Sequence, residues 1–132
     1  MRAARRGSCS IRRGTAPCAP SWRRCGAKLA EKRELLAQAL PGDGRSDAGD
    51  AGGLFLAPRM TAWLGREVDG ERLTPENLPA VVYAHTHVVL NGGPWCGDAE
   101  RARVVFSIPR EKLLKARERL LAFGAKLRAT TP

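Results

Sequence analysis

The sequence predicts an α+β fold, a two-layer sandwich whose small, mainly antiparallel sheet is covered by helices and preceded by a disordered N-terminal tail. Three observations carry this prediction. From His87 to Leu127 the chain reads as a short apolar strand, a glycine-rich turn, a second strand and a long amphipathic helix. Between Ala27 and Ala57 a helix, a loop and another short apolar strand come before that unit. The apolar spacing changes from helical to alternating along the chain, and helices and strands in this order suit one sheet layered against helices. The 132 residues are 43% hydrophobic and 27% charged, enough for one core, and no apolar run is long enough to cross a membrane.

The net charge of +10 is concentrated at the start. Residues 1–26 hold seven arginines and no acidic residue, with serine, proline, glycine and cysteine between them. Such a stretch has too little apolar surface to offset its chain entropy, so it is expected to be a disordered basic tail, with the folded domain at 27–132. Three roles stay open for it: a plain solvated tail, an organellar targeting segment, or an arm that contacts nucleic acid. Three of the four cysteines, Cys9, Cys18 and Cys25, fall in this tail, far from Cys96. Their spacing fits neither a metal knuckle nor a compact disulfide framework, and free thiols are expected.

The first helix is expected from Ala27 to Leu40, where Leu29, Leu36 and Leu40 share a side with Ala37 between them. Pro41 to Asp50, with its glycines and aspartates, is a loop that lacks the lysine of a phosphate-binding loop. Gly53 to Ala57 reads as a strand, and Pro58 to Leu64 as a helical turn whose Met60, Trp63 and Leu64 cover the sheet. Gly65 to Leu73 reads as a polar connection. A second helix begins at Thr74, with threonine as cap, Pro75 at the first position and Glu76 in the first turn. Leu78, Val81, Val82 and His85 form its apolar face, and Pro79 makes its first turn irregular. His85, His87 and Cys96 offer three zinc-type ligands without a fourth, so no metal site is expected.

Val88 to Asn91 is the next expected strand, followed by the turn at Gly92 and Gly93. Ala102 to Ser107 is the last, and its period of two sends Arg103, Val105 and Ser107 to one face and Val104 and Phe106 to the other. The closing helix starts at Pro109, carries Glu111 in its first turn, and runs to Leu127. Leu113, Ala116, Leu120, Leu121, Gly124 and Leu127 make its apolar stripe, widened by Leu114 and Phe123. Lys112, Lys115, Glu118 and Arg119 occupy the other side.

Arg103 is the candidate binding residue. An arginine among apolar strand neighbours either snorkels over apolar surface or forms an anion site, since its planar guanidinium fork matches a carboxylate and a strand holds it firmly. Four segments in order add a resemblance: Ala51 to Leu56 (Ala-Gly-Gly-Leu-Phe-Leu), Val88 to Gly93 (Val-Val-Leu-Asn-Gly-Gly), Ala102 to Ser107 (Ala-Arg-Val-Val-Phe-Ser), and the helix from Pro109 to Leu121. Together they resemble the C-terminal small domain of pyridoxal-phosphate-dependent aminotransferases of fold type I, in the branch similar to 1-aminocyclopropane-1-carboxylate synthase. The resemblance implies that Arg103 grips the α-carboxylate of an amino-acid substrate. It also implies pyridoxal phosphate as cofactor, a homodimeric full-length relative, and a cytoplasmic enzyme of amino-acid metabolism.

The family's Schiff-base lysine, in its S-x-x-K-type motif, has no counterpart among Lys28, Lys32, Lys112, Lys115 and Lys126. The chain is therefore expected to be a C-terminal fragment that is inactive alone. The contrasting expectation is a small basic nucleic-acid-binding protein that acts through its arginine-rich tail.

Overall fold

The computed structural model describes residues 19–44 and 53–130. The fold is α+β, with three principal helices and two small antiparallel sheets. Helix α1 spans Ala19–Ala37, which moves its start eight residues ahead of the expected Ala27 and into the segment read as tail. Pro20 falls in its first turn, where a missing N–H has no partner to lose. Residues 23–28 are all exposed, so this stretch of the helix displays no buried stripe, and the apolar pattern gave no sign of it. Residues 1–18, which carry most of the tail expectation, lie outside the described residues.

The first sheet joins β1 (Phe55–Leu56) to β4 (Val104–Val105) in antiparallel register, Phe55 opposite Val105 and Leu56 opposite Val104. Backbone hydrogen bonds extend the ladder from Phe106 N to Leu54 O at one end to Met60 N to Glu100 O at the other. Alternation along the second strand is as the period of two requires: Ala102, Val104 and Phe106 are buried, while Arg103, Val105 and Ser107 are exposed. The expected strand Val88 to Asn91 is reduced to a single bridge, Asn91 to Arg103. Leu90 turns into the core and Val89 stands 67% exposed, the alternation of a strand, but the pairing is confined to Asn91.

The expected polar connection Gly65 to Leu73 is a hairpin of β2 (Glu67–Val68) and β3 (Glu71–Arg72). Asp69 and Gly70 both have positive φ, at 50° and 83°, the conformation that matches the twist of a two-residue hairpin turn. Asp-Gly is the usual sequence for it, but the strands are so short that Val68 is the one apolar residue in them. Val68 and the following Leu73 are both buried.

Helix α2 (Leu78–Thr86) is entered through a reciprocal cap, Thr74 N donating to Asn77 Oδ1 at 2.7 Å and Asn77 N donating to Thr74 Oγ1 at 3.3 Å. The helix proper begins only at Leu78, because Pro79 has no N–H for an earlier turn. Leu78, Val81 and Val82 are buried as expected, but Thr86, not His85, completes the inner face. His85 instead stacks on Phe123 with ring centroids 5.5 Å apart. Gly93–Cys96 forms a short helical turn, α3.

Helix α4 spans Arg110–Ala129, with Pro109 as its cap at φ −54°, ψ 140° rather than as its first residue. Leu113, Leu120, Phe123 and Leu127 are buried, whereas Leu114 is exposed, so the stripe is narrower than expected. Helix α4 packs against both α1 and α2. Leu36 and Leu40, the inner face of the sheet, Met60 and Trp63, and the inner faces of α2 and α4 share one apolar cluster. Among the described residues no helix is long and apolar enough to cross a membrane.

Asp69 also ties the hairpin to α4. Its Oδ2 accepts from Lys126 Nζ at 2.7 Å and lies 3.5 Å from His85 Nε2. The hydrogen bond from Lys126 holds the Asp69 carboxyl below its ordinary value of 3.8. A carboxyl lowered in the folded state stabilises above its unfolded pKa, and that contribution is lost as pH falls through the folded value. Asp69→Asn keeps the turn geometry, and is expected to leave a small stability deficit near neutral pH that closes in acid. Urea midpoints over an acid pH series check this, and a deficit independent of pH would refute it.

Candidate anion-binding cleft

The sequence-predicted arginine stands at the edge of a cleft, and three backbone features place it there. At the end of α2, the buried Thr86 donates its hydroxyl to Val82 O at 2.6 Å and accepts Val88 N at 3.1 Å. His87 then takes a left-handed conformation at φ 56° and donates its N–H to Tyr83 O. This ends the helix and sends Val88 to Asn91 beside the second strand, where Asn91 and Arg103 exchange both backbone hydrogen bonds, at 3.0 and 2.9 Å. Arg103 therefore sits on a segment bonded on both sides.

Helix α4 supplies the opposite wall. Lys112, Lys115, Ala116 and Arg119 recur at helical spacing and face the same opening. The space between the walls is about 400 Å³. Its floor is apolar, made by Leu36, Val104 and Ile108, and its polar side chains are His87, Asn91, Arg103, Lys112, Lys115 and Arg119. Among the described residues no carboxylate lines it. A cavity of this size with an apolar floor and a few converging donors suits a small ligand, and the charge selects an anion.

The arginines near the strand are disposed differently. Arg101 donates to Ala57 O at 2.9 Å and pairs with Asp98 at 3.3 Å, and Arg59 pairs with Glu100 at 2.7 Å. Among the described residues the Arg103 side chain has an aromatic neighbour and no acidic one, its guanidinium carbon lying 5.3 Å from the centre of the Phe55 ring. A cation over a ring at an exposed site gains about 0.5–1 kcal/mol, which steadies the side chain and leaves its N–H donors available.

Sequence reasoning placed Arg103 correctly on the outer face but missed the helix cations beside it. Lys112, Lys115 and Arg119 lie opposite the apolar stripe and read as solvated. Their signal was the spacing of three and four, which aligns three positive charges on one line. His85 and His87 go to different neighbours, Phe123 and Tyr83 respectively. Among the described residues no three His, Cys, Asp or Glu side chains are grouped to hold a metal ion.

A second cavity of about 330 Å³ lies between Pro41, Trp63, Leu120, Gly124 and Leu127. Arg66, at its rim, is committed to the carbonyls of Ala62 and Leu127.

The residues present do not fit pyridoxal phosphate. Lys28, Lys112, Lys115 and Lys126 are exposed, and the half-buried Lys32 donates Nζ to Ile108 O at 2.7 Å. None is enclosed as a Schiff-base lysine must be to lower its pKa. No protein-family model, no curated protein and no solved structure matches this chain.

Proposed function

We propose that the chain binds the carboxylate of an amino-acid substrate through Arg103, as the small domain of an enzyme similar to pyridoxal-phosphate-dependent aminotransferases. The observation that supports it most is the position of Arg103: on a doubly bonded strand, at a cleft lined by cations and, among the described residues, by no carboxylate. The lysine and cofactor machinery of such an enzyme would come from outside these residues, so the chain alone binds without catalysing. The same reading makes the complete enzyme a cytoplasmic homodimer.

Butyrate, a plain carboxylate with an apolar body, tests the site. Titrated into the full chain at low salt, it is expected to shift backbone amide resonances of residues 87–91 and 103–105. Arg103→Ala should weaken its binding at least tenfold, the loss of one charge-assisted pair of hydrogen bonds. Arg103→Lys should recover only part, because an ammonium lacks the planar fork. Equal affinity in all three proteins would dismiss the reading.

A second reading has one observation in its favour. Residues 23–28 of α1 are exposed and include Arg23, Arg24 and Lys28, so the acid-free basic segment continues onto an accessible helix. A nucleic-acid-binding role would show as affinity for RNA or DNA that falls steeply with salt and is lost when residues 1–18 are removed.

A further inference from the structure

We infer that the cleft takes a small dianion, with one carboxylate on Arg103 and a second anionic group, carboxylate or phosphate, between Lys112 and Lys115. The inference rests on the reading of Arg103 given above and adds the other end of the ligand.

The first support is a contrast along α4. Three of its basic residues that point away from the cleft have partners in the protein: Arg110 with Glu31, Arg117 with Gln38 and Lys126 with Asp69. Lys112 and Lys115 line the cleft, and among the described residues neither has an acidic partner. The same holds of Arg103. Arg119 makes a long hydrogen bond, 3.4 Å, to Thr86 O at the end of α2, which leans its head toward that helix. Like charges gathered without counter-charge repel one another, and an anion between them removes that repulsion.

The second support is spacing. Lys112 and Lys115 are neighbours on the helix surface, their Cβ atoms about 5–6 Å apart. One carboxylate or phosphate can accept from both. Arg119 lies seven residues beyond Lys112, roughly 10 Å along the axis at the α-helical rise, too far for a single group to join the two ends. Arg103 comes from the other wall, so a ligand that reaches both walls must carry two charged ends. Val104 and Ile108 lie between as apolar floor, which favours a short hydrocarbon spacer.

The third support is size. About 400 Å³ accommodates a small metabolite and is far narrower than a nucleic-acid groove partner needs.

The experiment compares three probes by calorimetry on the full chain at low salt: glutarate, phosphonopropionate and butyrate. Both dianions are expected to bind at least about tenfold tighter than butyrate, as one added charge-assisted contact provides. In the double variant Lys112→Gln, Lys115→Gln they should fall to butyrate-like affinity. The replaced residues are exposed, and an unchanged melting curve confirms that the fold is kept. Preference for glutarate over phosphonopropionate, or the reverse, identifies the second group.

The inference is overturned if the dianions bind no better than butyrate, or if their advantage survives in the lysine variant. In either case Arg103→Ala still decides the carboxylate reading separately, through butyrate alone. Binding of long RNA with no binding of glutarate would also overturn it, assigning these cations to a phosphate backbone.

Discussion

Phe106→Ala is expected to destabilise the chain by about 3–5 kcal/mol, the usual cost of emptying a buried aromatic site. Phe106 is 1% exposed and is the last inward residue of the second strand. Its N–H donates to Leu54 O, and two residues on the chain reaches Ile108 and the cap of α4. A void there removes packing from the sheet, and it loosens the junction from which Lys112 and Lys115 are presented. Domains of this size have roughly 5–15 kcal/mol in total, so the variant should approach the unfolding threshold at moderate temperature. Val105→Ala, one residue away on the outer face and 40% exposed, should cost less than about 1 kcal/mol. Urea unfolding of the two variants gives the comparison. Similar losses would mean that both faces of the sheet are covered, and the cleft assignment would then need revision.

That contrast between adjacent residues was readable in the sequence, because alternation depends only on the strand period and on which face meets a helix. The stripe on α4 was readable for the same reason: Leu113, Leu120 and Leu127 repeat every seven residues. Where local pattern and burial separate, the reading failed. Residues 23–28 of α1 bury no stripe, so composition pointed to a tail although the backbone is helical. The hairpin at Asp69 has its turn signal in plain view, but two-residue strands carry no period to confirm it. Val88 to Leu90 looks like a strand by composition and alternates in burial, yet only Asn91 pairs. At the cleft, Arg103 stood out as a charge among apolar neighbours. Lys112, Lys115 and Arg119 did not, since charged residues on the far side of an amphipathic helix are usually solvated. What gathers them is the path of Val88 to Asn91 after the left-handed His87, a tertiary fact with no local signature.

The other large effect should come from Trp63, which lines the second cavity and not the cleft. Its side chain is 7% exposed and meets the Phe123 ring edge-on, with centroids 5.2 Å apart and planes at 72°. The turn that carries it is closed by hydrogen bonds from Trp63 N and Leu64 N to Met60 O, so backbone and ring are fixed together. Gly124 lies beside the ring: a Cβ there would meet Trp63 Cζ2 at 3.7 Å, an ordinary van der Waals contact. Trp63→Ala is expected to cost about 3–5 kcal/mol. Part of that belongs to the aromatic pair rather than to buried area, and a double-mutant cycle with Phe123→Leu isolates it. Edge-to-face pairs couple by about 0.5–1.5 kcal/mol, and a coupling in that range is expected here. Because Phe123 also stacks on His85, a coupling near zero would show that the ring of Phe123 is held by α2 and not by Trp63. The Met60–Leu64 turn would then act as a lid of apolar area alone, and the loss in Trp63→Ala should match that of an aliphatic residue of equal burial.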